Sequence, residues 1–215
     1  FMHSEGIACY TEFKEGTPSP YACILTDSQG ENQVTVYGGS AQCMTPNFVG
    51  EHAEIITGSD ILLLNNECPL AANQAALDIA LAHGVMAVLN PAPFLPLPRT
   101  YLRSFSLITP NRHEAAMLCG LPADSSADVL LHGLVILGVQ RAVITLGGEG
   151  AIAWDGERTI RCPAQSAAAQ DTTGAGDCFN GVLCCGLAEG LPMEAALRRA
   201  AKAAAFSVSR KYVMP

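Results

Sequence analysis

Charge is scarce in this sequence. Only 15% of its 215 residues are Asp, Glu, Lys or Arg, and 12 Lys and Arg stand against 20 Asp and Glu, a net charge of −8. No run of Lys or Arg forms, and with the acidic balance this argues against a nucleic-acid partner. Anionic nucleotides stay within reach, because backbone donors and Mg²⁺ can hold them. Long apolar runs are also missing: no segment approaches 18 apolar residues, so no membrane partner is expected. The first residues, Phe1-Met2-His3-Ser4-Glu5-Gly6, carry neither a basic nor an apolar leader pattern. No Cys-x-x-Cys spacing and no His cluster completes a zinc site. The nine cysteines, an odd number scattered through apolar stretches such as Cys178, Cys184 and Cys185, read as free buried thiols. A reducing, cytoplasmic location is the expectation. No Gly-x-Gly-x-x-Gly joins a first strand to a helix, which sets aside a dinucleotide-binding Rossmann unit.

What is present is a hydrophobic content of 49%, enough for a buried-sheet α/β core and incompatible with disorder. The length predicts one domain, or one domain with a small appendage. Residues 6–13, 21–26 and 33–37 read as short strands around the turn-rich Asp27–Asn32, an antiparallel unit better suited to covering something than to forming a core. Thr45-Pro46 has the cap-then-proline pattern of a helix start. From Asp60 the texture changes to buried strands alternating with helices. Strands are predicted at 61–64, 85–89, 107–108 and 142–146, with helices at 69–83, 111–119 and 124–137. A hairpin turns at Asp155-Gly156, and helices over 175–187 and from Met193 to about Lys211 close the chain. This alternation predicts an open, mostly parallel sheet with helices on both faces. Ligands then bind beyond the carboxyl ends of the strands, where Glu67, Asn90, Asn111, Gly147–Gly150 and Asp177 would share one rim.

One stretch carries chemistry: Asp171-Thr172-Thr173-Gly174-Ala175-Gly176-Asp177-Cys178-Phe179-Asn180-Gly181. A Gly-rich turn runs into an apolar helix, so converging backbone N–H groups and the helix dipole can seat an anion, such as a phosphate in transfer. A carboxylate there repels phosphate, and Asp177 makes sense as the group that takes a proton from an attacking hydroxyl. The plainer alternative is a tight loop in which Asp177 caps the helix. Asn111 and Glu114 stand at i, i+3 on a first helical turn and can order water around a Mg²⁺-bound triphosphate, or can simply form a capping box. Asp171 can open the loop as an Asx-turn.

The eleven residues closely resemble the second signature of the PfkB (ribokinase-like) carbohydrate kinases, and Asn111-Arg112-His113-Glu114 looks like the Asn-x-x-Glu motif of the same family. The resemblance implies a three-layer α/β/α fold with a small antiparallel β lid over residues 1–45 and a kinase core over 46–215. It implies Asp177 as the base, and the amides of Gly174, Ala175, Gly176 and Asp177 as the anion hole. ATP would lie on Asn111, Thr145, Gly147, Gly148, Glu149, Gly150 and Gly176. Glu114 would serve Mg²⁺ through water, while Asp171 and the carbonyl of Thr173 would hold K⁺ or another monovalent cation. Glu67 matches the carboxylate that accepts hydrogen bonds from sugar hydroxyls. Asn90-Pro91-Ala92-Pro93 and the segment Gly30-Glu31-Asn32 followed by Gly38-Gly39 are similar to the ribokinase branch. The implied reaction moves the ATP γ-phosphoryl group to the 5-hydroxyl of D-ribose. Alternatives are fructose, adenosine or another nucleoside as acceptor, or a nucleotide-binding fragment without activity. The partners implied are a sugar and ATP, and a homodimer through the lid is compatible with Ile24, Leu25, Val34 and Val36.

Several positions depart from the family pattern. Ser19-Pro20-Tyr21 replaces a Thr-Gly-containing lid segment, Ser40 stands where Asn is common, and Tyr212 stands where a small residue is expected near the cation. The family's opening strand with its sugar-binding Asp, and its Gly-Gly motif with a nearby Asn, have no counterpart. The expectation is therefore part of a longer kinase, with the phosphate end intact and a sheet strand left without its neighbour.

Overall fold

The computed structural model describes residues 2–26 and 32–211. Two sheets organise it. The small one pairs β1 (Tyr21–Thr26) and β2 (Asn32–Tyr37) in antiparallel fashion, with Tyr21 opposite Tyr37 and their rings 5.1 Å apart. A cross-strand aromatic pair of this kind stabilises an otherwise marginal ribbon. The stretch 6–13, expected as a strand, is not one. Met2–Glu5 forms a 3-10 turn, and the residues after it, up to Lys14, belong to no helix or strand among the described residues. Alternation in sequence becomes a strand only where a second strand supplies the hydrogen bonds. Gly30, Glu31 and Tyr212 lie outside the described residues, as do the side chains of Ile24 and Val34.

After a 3-10 turn at Gly39–Cys43, α1 (Pro46–Glu51) starts as expected, its Thr45 hydroxyl accepting from Phe48 N–H at 3.2 Å. It breaks at His52 into the short α2 (Ala53–Thr57). The large sheet then follows in chain order: β3 (Ile61–Leu64), β4 (Met86–Leu89), β5 (Leu107–Ile108), β6 (Ala142–Thr145), β7 (Ala151–Trp154) and β8 (Thr159–Cys162). Pairing is parallel from β3 through β6 and antiparallel between β6 and β7 and between β7 and β8. Between them run α3 (Leu70–Ala82), α4 (Arg99–Arg103), α5 (Arg112–Cys119) and α6 (Ala127–Leu137). The chain ends with α7 (Ala175–Ala188) and α8 (Met193–Val208). The expected start of α6 at Asp124 moves to Ala127, because the Ser126 hydroxyl caps the helix by accepting from Val129 N–H.

Strand residues alternate between two cores. Leu89, Ile108, Ile144 and Ile152 pack with Leu77, Leu102, Phe105, Leu130 and Leu134 on one face. Val88, Leu107, Val143 and Ala153 pack with Phe179, Leu183, Leu197 and Ala200 on the other. Three layers result, and each fully buried large aliphatic side chain contributes roughly 1.5–3 kcal/mol. The strand 61–64, expected to be covered on both faces, is different: β3 is an outer strand of the sheet and its Leu63 is 40% exposed. The cysteines are all free, but only Cys162 and Cys184 are buried, while Cys23 and Cys185 are exposed. Among the described residues, no helix is long and apolar enough to cross a membrane.

Candidate active site

The carboxyl ends of the parallel strands make one rim, and amide side chains knit it together. Beyond β3, Asn65 accepts from Glu67 N–H through its side chain at 3.1 Å, while its carbonyl accepts from Asn73 Nδ2 at 2.5 Å. Asn66 is buried, and its Nδ2 donates to Pro93 O at 3.0 Å. Beyond β4, Asn90 N–H donates to Leu64 O and its Nδ2 donates to Thr109 O, both at 2.8 Å. Asn111 pairs in parallel with Thr145 at the end of β6.

The start of α7 sits against this rim. Gly174 caps it in the left-handed conformation (φ 73°, ψ 0°), a geometry that glycine adopts without the Cβ penalty. Ala175 N–H donates to Thr172 O at 3.3 Å, whereas the amides of Gly176 and Asp177 donate to no backbone carbonyl among the described residues. Two open donors and the positive end of a 14-residue helix therefore point at the same space. Asp171 accepts from Thr173 N–H at 2.9 Å, closing an Asx-turn, and Val208 O holds the amides of Gln170 and Asp171.

Three cavities line up along the rim and share walls. One of about 150 Å³ is bounded by Thr145, Gly147, Gly150, Ala175 and Gly176. The next, about 130 Å³, shares Thr145 and Gly176 with it and adds Asn111, Glu114, Gly174 and Asp177. The third, about 310 Å³, is lined by Asn65, Cys68, Asn73 and Asn90 and shares Asp177 with the second. Gly176 thus divides the first pair and Asp177 the second. Chemically, this is a place for an elongated anion on one side, a polyol-sized group on the other, and a carboxylate at the junction.

Asn111 and Glu114 form the full capping box: Glu114 N–H donates to Asn111 Oδ1 and Asn111 N–H to Glu114 Oε2, each at 2.8 Å. Glu114 is buried, and that burial raises its pKa against the opposing pull of the Asn111 amide and the nearby His113. The capping reading and the cavity reading hold together, since the box uses one carboxylate oxygen while the residue also lines the second cavity. Among the described residues, no three His, Cys, Asp or Glu side chains gather to hold a metal ion. The carboxylate of Glu114 in the second cavity is a donor of the kind Mg²⁺ takes, since that ion binds through one or two carboxylates together with waters and substrate phosphates.

The sequence-predicted residues divide. Asp177, Gly174, Ala175, Gly176, Asn111, Glu114, Thr145, Gly147 and Gly150 all line the connected cavities. Gly148 lines none of them, and the exposed Glu149 pairs with Arg112 at 2.8 Å. Glu67 is exposed and does not line the 310 Å³ cavity, although Asn65 and Cys68 on either side of it do. Asn180 was missed. It lies one turn after Asp177 on α7 and lines the second and third cavities, and that i, i+3 spacing is the signal that would have found it.

The model of the pfkB family carbohydrate kinases matches residues 1–215. The chain belongs to that family. Among curated proteins, this PfkB kinase chain is 36% identical over 205 residues to the ribokinase of Schizosaccharomyces pombe, covering 92% of the chain and 64% of the relative. It is 37% identical over 164 residues to the bifunctional ribokinase/ribose-5-phosphate isomerase A of Fructilactobacillus sanfranciscensis, covering 75% of the chain and 30% of the relative. The PfkB chain therefore spans less than two thirds of either protein. Among solved structures it superposes on the Arabidopsis thaliana ribokinase complexed with ribose and ATP, with a TM-score of 0.83 and 28% identity over 92% of the chain and 65% of that structure. The layered sheet with its small β unit is thus the ribokinase-like fold.

Proposed function

We propose that the chain belongs to an ATP-dependent sugar kinase that transfers the γ-phosphoryl group to the 5-hydroxyl of D-ribose. The observation that carries this reading is Asp177 on the wall shared by the 130 and 310 Å³ cavities, beside the open amides at the start of α7. ATP would lie along Thr145, Gly147, Gly148 and Gly150, with Asn111 and Gly176 at its phosphates; Glu149, held by Arg112, would fix the turn. The sugar would occupy the larger cavity. Asp177 would take the hydroxyl proton as the sugar oxygen forms its bond to the γ-phosphorus and the bond to the β–γ bridging oxygen breaks, releasing ADP. The amides of Gly174 to Asp177 would stabilise charge on the moving phosphoryl group. Glu114 would hold Mg²⁺ through water, and the ion would neutralise charge developing on the phosphates. Asp171 and the Thr173 carbonyl would hold a monovalent cation under the loop. A homodimer through the lid would use one face of the ribbon, either that of Leu25, which is 62% exposed, or the opposite one of Val36, which is 58% exposed.

The test is product formation from D-ribose, ATP, Mg²⁺ and K⁺, followed by ³¹P NMR, with D-fructose and adenosine as competing acceptors. Asp177→Asn should fold like the parent and lose at least about 100-fold in turnover. Undiminished turnover in that variant would remove Asp177 from the role of base. A second reading, a nucleotide-binding chain that transfers nothing, draws support from Glu67, which lies exposed outside the sugar-side cavity. It predicts a thermal shift with ATP and no phosphorylated sugar.

A further inference from the structure

The amide side chains around the 310 Å³ cavity are nearly all committed. Asn73 Nδ2 serves Asn65 O and Asn90 Nδ2 serves Thr109 O, both of them backbone acceptors. Asn180 is the exception. The residue is 4% exposed, and among the described residues its side chain has no hydrogen bond and its Oδ1 is buried without a partner. A carboxamide held in this state costs free energy that a hydrophobic residue of the same shape would not, and it stays only where something else completes it. The residue lines both cavities that flank Asp177, one helical turn away on the same face.

We propose that Asn180 is a substrate-binding residue that hydrogen-bonds a hydroxyl of the sugar next to the one facing Asp177. The inference rests on the kinase reading above and assigns a contact within it. The choice of a hydroxyl over a phosphate follows from the group that lacks a partner. Oδ1 can only accept, and an ionised phosphate oxygen offers nothing to donate. A sugar hydroxyl both donates and accepts, so it satisfies the carboxamide with either its oxygen or its nitrogen turned toward the cavity. Asn180 would therefore act on acceptor affinity and leave the nucleotide side alone, since the 150 Å³ cavity is lined by Phe179 and not by its neighbour. In the apo protein its polarity is a burden, which separates this role from a structural one.

The experiment uses the full chain with D-ribose and ATP as probes. For Asn180→Leu, the KM for ribose is expected to rise roughly 10- to 100-fold, while the KM for ATP stays within about twofold. The apo melting temperature should equal or exceed that of the parent, and the ribose-induced thermal shift should vanish while the shift with adenylyl imidodiphosphate remains. If the Leu variant does not fold, Asn180→Ser, which keeps a shorter donor and acceptor, should weaken ribose in the same direction by less. A ribose KM within about twofold of the parent in the folded variant overturns the proposal, as does a parallel rise of both KM values. A parent that phosphorylates ribose while the variant is unchanged defeats the Asn180 role alone. A parent that neither phosphorylates ribose nor is shifted by it defeats this proposal together with the kinase reading.

Discussion

Replacing Gly150 by alanine tests how the wall of the 150 Å³ cavity is built. Gly150 sits at φ 97°, ψ −126°, in a region essentially reserved for glycine. An added Cβ would lie 2.1 Å from Cys162 O, 2.5 Å from Ala164 N and 2.7 Å from Pro163 C, all of them backbone atoms. Carbon contacts become comfortable only near about 3.5 Å, so either the 162–164 segment moves by roughly 1 Å or the turn gives way. Backbone strain of this kind costs about 1–3 kcal/mol. Distorting the turn also threatens the bonds Leu146 N–H to Gly150 O at 2.8 Å and Gly150 N–H to Gly147 O at 3.0 Å, each contributing about 1 kcal/mol. The expected loss is about 3 kcal/mol or more, a fall in melting temperature of roughly 6–12 °C for a chain of this size. Gly148→Ala is the matched control. An added Cβ there meets no atom within 4 Å, and the change should stay within about 0.5 kcal/mol. Thermal unfolding followed by circular dichroism at 222 nm compares the two. Gly150→Ala melting together with Gly148→Ala would refute the reasoning, because it would mean that the turn tolerates a side chain the geometry forbids.

Other expectations follow from buried polar groups. Tyr101 is buried with its hydroxyl unpartnered, its pKa pushed up to about 12 by that burial, and its ring stands edge-on to Phe105 at 5.1 Å. Tyr101→Phe keeps the ring contact and removes the unmet hydroxyl, so urea unfolding should show a gain on the order of 1 kcal/mol; a loss would mean that a bound water satisfies the group. Glu114 has its folded-state pKa raised by burial, so the folded chain binds a proton more tightly than the unfolded chain. Its contribution is fully present below the unfolded value of about 4.3 and is lost as pH rises through the folded value. Glu114→Gln, which can still close the capping box, should therefore gain stability relative to the parent between pH 4 and pH 7, and it should need more Mg²⁺ for the same rate. A urea midpoint difference that does not change with pH would contradict the first part.

Local signals were legible where a few adjacent residues decide the outcome. Thr45-Pro46 opened a helix, Asn111 with Glu114 closed a capping box, and the hairpin at Asp155-Gly156 formed as read. The burial of the central strands followed from their apolar runs, because a parallel strand covered on both faces needs such a run, whereas their order in the sheet came only with the structure. What failed depended on partners that the sequence does not name. Residues 6–13 alternate like a strand and find no strand to pair with among the described residues. Arg99–Arg103 is five residues long, too short to display a helical period. Glu67 was placed correctly after β3, but the sequence could not say that its side chain would stay outside the cavity lined by Asn65 and Cys68. Asn180 is the opposite case: its i, i+3 spacing from Asp177 is legible, but only the structure shows that its Oδ1 is buried without a partner among the described residues.

The reversal of direction between β6 and β7 bears on which parts of the rim can change length. After β3, β4 and β5 the chain leaves the rim through loops and helices rather than by a direct return, so residues inserted in those crossovers do not enter a hairpin. After β6 it returns at once: Thr145 pairs with Ala151, and the residues between them are closed by their own hydrogen bonds. One inserted residue there must either reshape this hydrogen-bonded turn or slip the β6–β7 register, and a slip would turn the β7 side chains to the opposite face. The wall of the 310 Å³ cavity, built on crossover loops, can therefore lengthen without touching a strand register, whereas a change of length beside Gly147 and Gly150 acts directly on the β6–β7 pairing.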